Sequence, residues 1–248
     1  MSALSPELEL LFYGLLFVVA FLYAAVGHGG ASGYLALMAL FSLSPEVMRP
    51  SALLLNIFVS LIAFLQYYRW VVFRWRLLWA LAALAIPAAF LGGLISLDAG
   101  LYKQLLGLFL LFPIIRFAGF MPKEAAEKKE VSLPLALLLG AGIGFFSGLI
   151  GIGGGIILSP LLLLLAWAGM KETAAISALF ITLNSIAGLL GNAAGGLQFS
   201  PEILYFVAIA VAGGALGAYL GARYFSGLLL KRMLALVLII ACAKLLLT

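Results

Sequence analysis

The residues of this chain with the clearest capacity for chemistry stand in two glycine-rich stretches, Gly27-His28-Gly29-Gly30-Ala31-Ser32-Gly33 and Gly151-Ile152-Gly153-Gly154-Gly155. Each interrupts a long apolar run with residues that do not hold a helix, because glycine loses the most backbone entropy on ordering and packs no side chain. Lipid cannot satisfy backbone freed from helical hydrogen bonding, so each stretch must lie against protein or a polar cavity. A helix restarting after such a turn presents unpaired N–H groups and the positive end of its dipole, and both attract an anion. Helices restarting after Gly30 and after Gly154 would therefore cradle a small anion between them without a charged side chain. The glycines expected at that site are Gly27, Gly29, Gly30, Gly151, Gly153, Gly154 and Gly155.

His28 is the one histidine of the chain and stands inside the first turn, where the second has Ile152. An ionisable group at membrane depth is a functional candidate. Its imidazole is suited to hydrogen-bond an anion or to take up a proton and couple its movement, and equally to fix the turn by bonding nearby carbonyls. Ser32 lies in the first turn and Ser147 just before the second, while Ser51, Asn56, Ser177, Asn184 and Ser185 are uncharged polar residues within the apolar segments. The commonest work of such groups in apolar segments is hydrogen bonding between helices. Lining the cavity that the turns border is the functional alternative.

What must position these groups follows from composition. Of 248 residues, 66% are hydrophobic and 9% charged, and the mean hydropathy is +1.25. Apolar runs long enough to cross a bilayer recur throughout, so the chain is a polytopic helical membrane protein in contact with lipid. The formal charge of +5 does not call for nucleic acid, because basic residues of membrane proteins mark cytoplasmic loops. The single cysteine, Cys242, has no disulfide partner and reads as packing.

Apolar segments run over Leu8–Val26, Ala31–Leu43, Glu46–Tyr68, Leu77–Leu97 and Leu101–Phe120, and again over Leu133–Ile150, Ile156–Ala168, Glu172–Ala194, Pro201–Ala222 and Leu228–Leu247. The second member of each set is well short of the roughly 30 Å hydrocarbon core at about 1.5 Å per residue. Letters repeat as well: Gly27-x-Gly29-Gly30 with Gly151-x-Gly153-Gly154, Ser51-Ala52-Leu53 with Ser177-Ala178-Leu179, and Gln66 with Asn192. Ala88, Gly92 and Ser96, matched by Gly213, Gly217 and Gly221, form small-residue stripes suited to close helix packing or to a homodimer contact.

The basic residues decide the sense of the repeat. If each first and second segment form a hairpin, Arg69, Arg74, Arg76, Arg116, Lys123, Lys128, Lys129, Lys171, Arg223, Lys231 and Arg232 share the inner face, leaving Arg49, Lys103 and Lys244 outside. The expected fold is an all-α polytopic membrane protein of two inverted repeats, each a hairpin with a short second segment plus three spanning helices, about ten segments in all. Residues 1–120 form the first repeat, 121–132 a cytoplasmic linker and 133–248 the second, with both termini outside. Tyr67, Tyr68, Trp70, Trp75 and Trp79 cluster at the inner face as an interfacial belt.

The run Gly148-Leu149-Ile150-Gly151-Ile152-Gly153-Gly154-Gly155-Ile156-Ile157-Leu158-Ser159-Pro160, followed by Ser177 and Asn184-Ser185, resembles the TauE/SafE family of membrane permeases, the sulfite exporters. The resemblance covers essentially the whole chain. It implies a bacterial inner-membrane transporter of small anions such as sulfite, organosulfur compounds or organic acids, built from two related halves. The first half departs from the family pattern at Ala31 and Ser32, where a third glycine and then a proline are usual, and His28 is not a general family feature.

The expected function is thus secondary transport of a small anion bound between the two turns near mid-membrane, with a proton as a candidate coupling ion. The alternative is a membrane scaffold or assembly subunit whose glycines serve packing alone. An intramembrane enzyme using His28 is weaker, for no second catalytic partner is apparent. Metal-binding, Walker-lysine and serine-elbow motifs are missing from the sequence, so neither enzymatic activity nor a cofactor or metal is expected.

Overall fold

The computed structural model describes residues 5–25, 28–117, 128–196, 203–224 and 239. Nine helices occupy them: α1 Pro6–Ala25, α2 Ala31–Leu40, α3 Pro45–Tyr68, α4 Trp75–Leu94, α5 Ala99–Phe117, α6 Leu133–Ile150, α7 Gly155–Leu164, α8 Met170–Ala194 and α9 Ile203–Tyr224. Among the described residues there is no strand. The expected tenth segment, Leu228–Leu247, lies outside the described residues apart from Ile239, as does most of the linker. Six helices are long and apolar enough to cross a membrane: α1, α3, α4, α6, α8 and the stretch Ile203–Leu220 of α9. The chain is an all-α multi-pass membrane protein.

The short helices α2 and α7 have 10 residues each, about 15 Å of rise, half a hydrocarbon core. Both are shorter than the expected Ala31–Leu43 and Ile156–Ala168, and for the same reason. Ser42 and Ala166 adopt left-handed backbone, with φ of 58° and 55°. Around them Leu43 N–H donates to Met38 O at 3.0 Å and Trp167 N–H to Leu162 O at 2.9 Å. These six-to-one bonds, closed by Ser42 N–H to Ala39 O and Ala166 N–H to Leu163 O, are the Schellman stop of a helix. Neither residue is glycine, so composition gives no warning of the stop.

Close backbone contacts set the directions of the long helices. Gly140, Gly144 and Gly148 of α6 press in order on the Leu81, Ala85 and Ala89 carbonyls of α4, so α6 and α4 run parallel. Gly213 and Gly217 of α9 meet Phe17 and Phe21 of α1, and Gly191 and Gly195 of α8 meet Phe90 and Leu94 of α4, again in parallel. Between α3 and α8 the order reverses: Asn56 faces Ser185 and Ser60 faces Thr182. Short connections make α3 antiparallel to α4 and α8 antiparallel to α9. Hence α1, α3 and α9 point one way and α4, α6 and α8 the other.

The small-residue stripes need correction. Ala88 is half-buried and Ser96 exposed, and α4 makes its contacts through Ala85, Ala89, Gly92 and Gly93. Gly213 and Gly217 pack inside the chain on α1, which leaves that face unavailable to a second copy.

Arg49, near the start of α3, is buried at 4% exposure. Its guanidinium donates to the Gly92, Gly93, Ile95 and Gly148 carbonyls at 2.7 to 3.0 Å. The cation thereby caps the C-terminus of α4, where last-turn carbonyls lack helical partners and the dipole is negative. At the other end of the bundle, Glu172 in the first turn of α8 pairs with Arg74 before α4 and with Lys128 of the linker, the latter at 2.7 Å. Arg74 also donates to the Trp167 carbonyl. The Glu172 side chain is 6% exposed, whereas those of Arg74 and Lys128 are 35% and 54% exposed. Solvent screens the cations, so Glu172→Gln is expected to destabilise by only about 1 kcal/mol, read as a thermal-melting shift of a few degrees in detergent.

Candidate functional site

The site is assembled around Asn56, halfway along the 24 residues of α3. Its amide oxygen accepts the Ala31 N–H, the first of α2, at 3.0 Å. Its amide nitrogen lies 3.5 Å from Ser185 Oγ of α8. The carboxamide passes between the two glycine turns: a Cβ on Gly29 would come within 2.6 Å of Oδ1, and one on Gly153 would overlap Nδ2. Ile181, halfway along α8, packs on Gly29, Gly153 and Gly155. Two turns far apart in the chain thus meet at mid-length of the two longest helices, about 18 Å from either end of each.

Gly30 caps the start of α2 with φ 96°, and Gly154 caps that of α7 with φ 77°. Gly151 and Gly153 also hold left-handed backbone, with φ of 91° and 72°. Such consecutive positive angles suit glycine alone. They turn the chain at the end of α6 and bring Gly153 against the Asn56 carboxamide, two residues before α7 begins. Gly151 sits against Arg49, Gly154 against Ile143 and Phe180, and Gly155 against Ile181. Gly27 lies outside the described residues.

His28 joins the halves. Its Nε2 is 3.3 Å from Ser159 Oγ on α7, although 131 residues separate the two. Ser159 donates to the Gly155 carbonyl at 2.7 Å and lies 2.9 Å from Ser177 Oγ of α8. Ser159 thus links the His28 ring of the first turn to Ser177 of α8 through one hydroxyl. Ser32 is 2.8 Å from the Tyr23 hydroxyl at the end of α1. A narrow cavity adjoins this cluster, lined by residues that include Tyr23, His28, Ser32, Asn56, Ile152 and Ile181. His28 and Tyr23 are the titratable groups of that lining.

The remaining expected residues divide. Ser177 joins the serine chain and Ser185 approaches Asn56 and Gly153. Ser51, Ser147 and Asn184 are fully buried but do not line the cavity. The hydroxyls of Ser51 and Ser147 and both ends of the Asn184 carboxamide have no hydrogen-bond partner. Tyr23 and Ile181 are participants that sequence reasoning missed, and Ser159 entered only as a letter of the glycine-block motif. A tyrosine four residues before Gly27, one helical turn back, was the available signal for Tyr23.

A family model described as sulfite exporter TauE/SafE matches residues 12–245. The probable membrane transporter protein y4hK of Sinorhizobium fredii is 40% identical over 234 residues, which is 93% of this chain and 95% of that protein. The probable membrane transporter protein MJ0441 of Methanocaldococcus jannaschii is 37% identical over 94 residues, 38% of this chain and 35% of its own length. No solved structure matches the chain significantly.

Proposed function

Because the chain belongs to the sulfite exporter TauE/SafE family of membrane transporters, we propose that it carries a small anion, with sulfite and organosulfur or organic-acid anions as its substrate class. The observation that carries this reading is that Asn56, at mid-length of α3, holds the first N–H of α2 and packs on Gly153 of the turn that leads into α7. Two helix ends supply N–H donors and positive dipole ends to one point, without a fixed positive charge that would hold an anion too tightly to release. Ser32, Ser177 and Ser185, with the backbone of Gly29, Gly30 and Gly153 to Gly155, supply neutral donors around it.

Residues 1–120 and 133–248 act as inverted repeats about a cytoplasmic linker, 121–132, with both termini outside and the protein in a bacterial inner membrane. The opposite directions of α1 and α6, of α3 and α8, and of α4 and α9 support the inversion. Rocking of one repeat against the other then exposes the central site to each side in turn. Reconstitution in liposomes tests the proposal: sulfite, sulfate or a small carboxylate should be carried. Folded protein that moves none of them would overturn it.

His28 is the proton-coupling candidate of the site. Protonation of the His28 ring would place one positive charge beside the anion. His28→Gln should retain flux and flatten its dependence on pH between about 5 and 8. A pH profile unchanged by the substitution would remove His28 from coupling.

A further inference from the structure

Resting on that reading of the site, we infer that the Asn56 carboxamide is an internal stand-in for the substrate, seated at the N-terminus of α2 until an anion displaces it. The first N–H groups of a helix have no intrahelical partner, and a side chain of the cap residue commonly satisfies one of them. The cap here is Gly30, which has none. The acceptor comes instead from another helix, 25 residues onward, as Asn56 Oδ1 at 3.0 Å from Ala31 N. An amide oxygen thus sits where an anion oxygen would sit. The surrounding chain makes room for it, since both Gly29 and Gly153 would collide with the carboxamide if either bore a Cβ.

The stand-in is held firmly at one end only. Its nitrogen is 3.5 Å from Ser185 Oγ, at the limit of a hydrogen bond whose usual length is about 2.9 to 3.0 Å. A charged oxygen makes a shorter, stronger bond to an N–H than a neutral amide oxygen does. An anion therefore outcompetes Asn56 for the helix end, whereas a neutral solute of the same size gains little from the exchange. The device serves selectivity. It also couples occupancy to the scaffold, because displacing Asn56 cuts the tie between α2 and the middle of α3.

Only one repeat carries it. At the spacing that matches Ser51 with Ser177, the counterpart of Asn56 is Thr182, whose hydroxyl donates to the Ala178 carbonyl at 3.0 Å and lies 2.7 Å from Ser60 Oγ. The α7 end has no amide posted at it from that position.

Two substitutions, followed by thermal melting of the purified protein against sulfite and sulfate, separate a stand-in from a ligand-binding residue. Asn56→Asp installs a permanent anion at the α2 end; it should melt at or above the wild-type temperature and lose the anion-dependent shift. Asn56→Ala empties the position. It should melt lower without anion, show a larger anion-dependent shift than wild type, and bind the anion at least fivefold more tightly, because no occupant has to leave first. A smaller shift or weaker binding in Asn56→Ala would make Asn56 a substrate ligand and overturn the inference, and that variant decides alone if Asn56→Asp does not fold. Undiminished anion binding by folded Asn56→Asp would also overturn it. A wild-type protein that shows no shift with sulfite, sulfate or acetate would instead bring down the anion site itself.

Discussion

Alanine at Gly153 is expected to reduce anion flux at least tenfold, to the leak of empty liposomes, while Gly142→Ala keeps wild-type flux and melts at or slightly above the wild-type temperature. Gly153 holds φ 72°, a conformation that costs an L-residue about 1–2 kcal/mol. Its new methyl would overlap Asn56 Nδ2 and lie 3.0 Å from Ile181 Cγ2 and 3.3 Å from Ser185 Oγ. Relief requires Asn56 or the turn to move, which misaligns the two helix ends that the site depends on. Displacements on the order of 1 Å at a positioned site cost about a hundredfold in function. Stability falls less, by about 2 kcal/mol, so folded protein remains for the assay. Gly142 is exposed with open space around it, so its alanine variant controls for the loss of a glycine as such. Full flux in Gly153→Ala would show that the turn does not position substrate.

A larger loss of stability is expected from Gly144→Leu. There a Cβ would collide with the carbonyl oxygen of Ala85 and lie 2.6 Å from its α-carbon. Backbone cannot swing aside as a side chain does, so α4 and α6 must separate along a seam built on Gly140, Gly144 and Gly148. Overpacking of this kind costs on the order of 3 kcal/mol or more, and the seam joins the two halves. Monodisperse protein in detergent should fall to a small fraction of the wild-type yield, measured by size-exclusion chromatography. Wild-type yield and melting temperature would contradict the packing described for α4 and α6.

These two substitutions distinguish glycines that packing requires from glycines that the site requires, a difference only partly legible in the letters. Spacing within the turns was informative because positive φ and close approach restrict the residue to glycine, and glycine is visible. The segment lengths told of the short helices for the same reason: hydropathy is local. The stripe on α6 was overlooked although Gly140, Gly144 and Gly148 stand at the same four-residue interval as the stripes that were noticed. An apolar run conceals which of its small residues face a neighbour. Asn184 and Ser185 show the limit most clearly. One residue is about 100° around a helix, enough to put Ser185 against Gly153 and Asn56 and to leave the buried Asn184 carboxamide without a hydrogen-bond partner. The tie between His28 and Ser159 spans 131 residues and exists only in the packed structure. Arg49 counts in the sequence only as an outer-side charge near the start of its segment, because nothing in its neighbourhood announces that the end of α4 lies across from it.

The central claim is that one small anion sits where the starts of α2 and α7 meet. A structure of the protein determined in saturating sulfite, or in whichever anion liposome assays show it to carry, tests this most directly. Density is expected in contact with the Ala31 and Gly155 amides, with the Asn56 carboxamide turned away from Ala31. Density bound elsewhere in the molecule, with Asn56 still seated on Ala31 in protein that is saturated with its substrate, would contradict it.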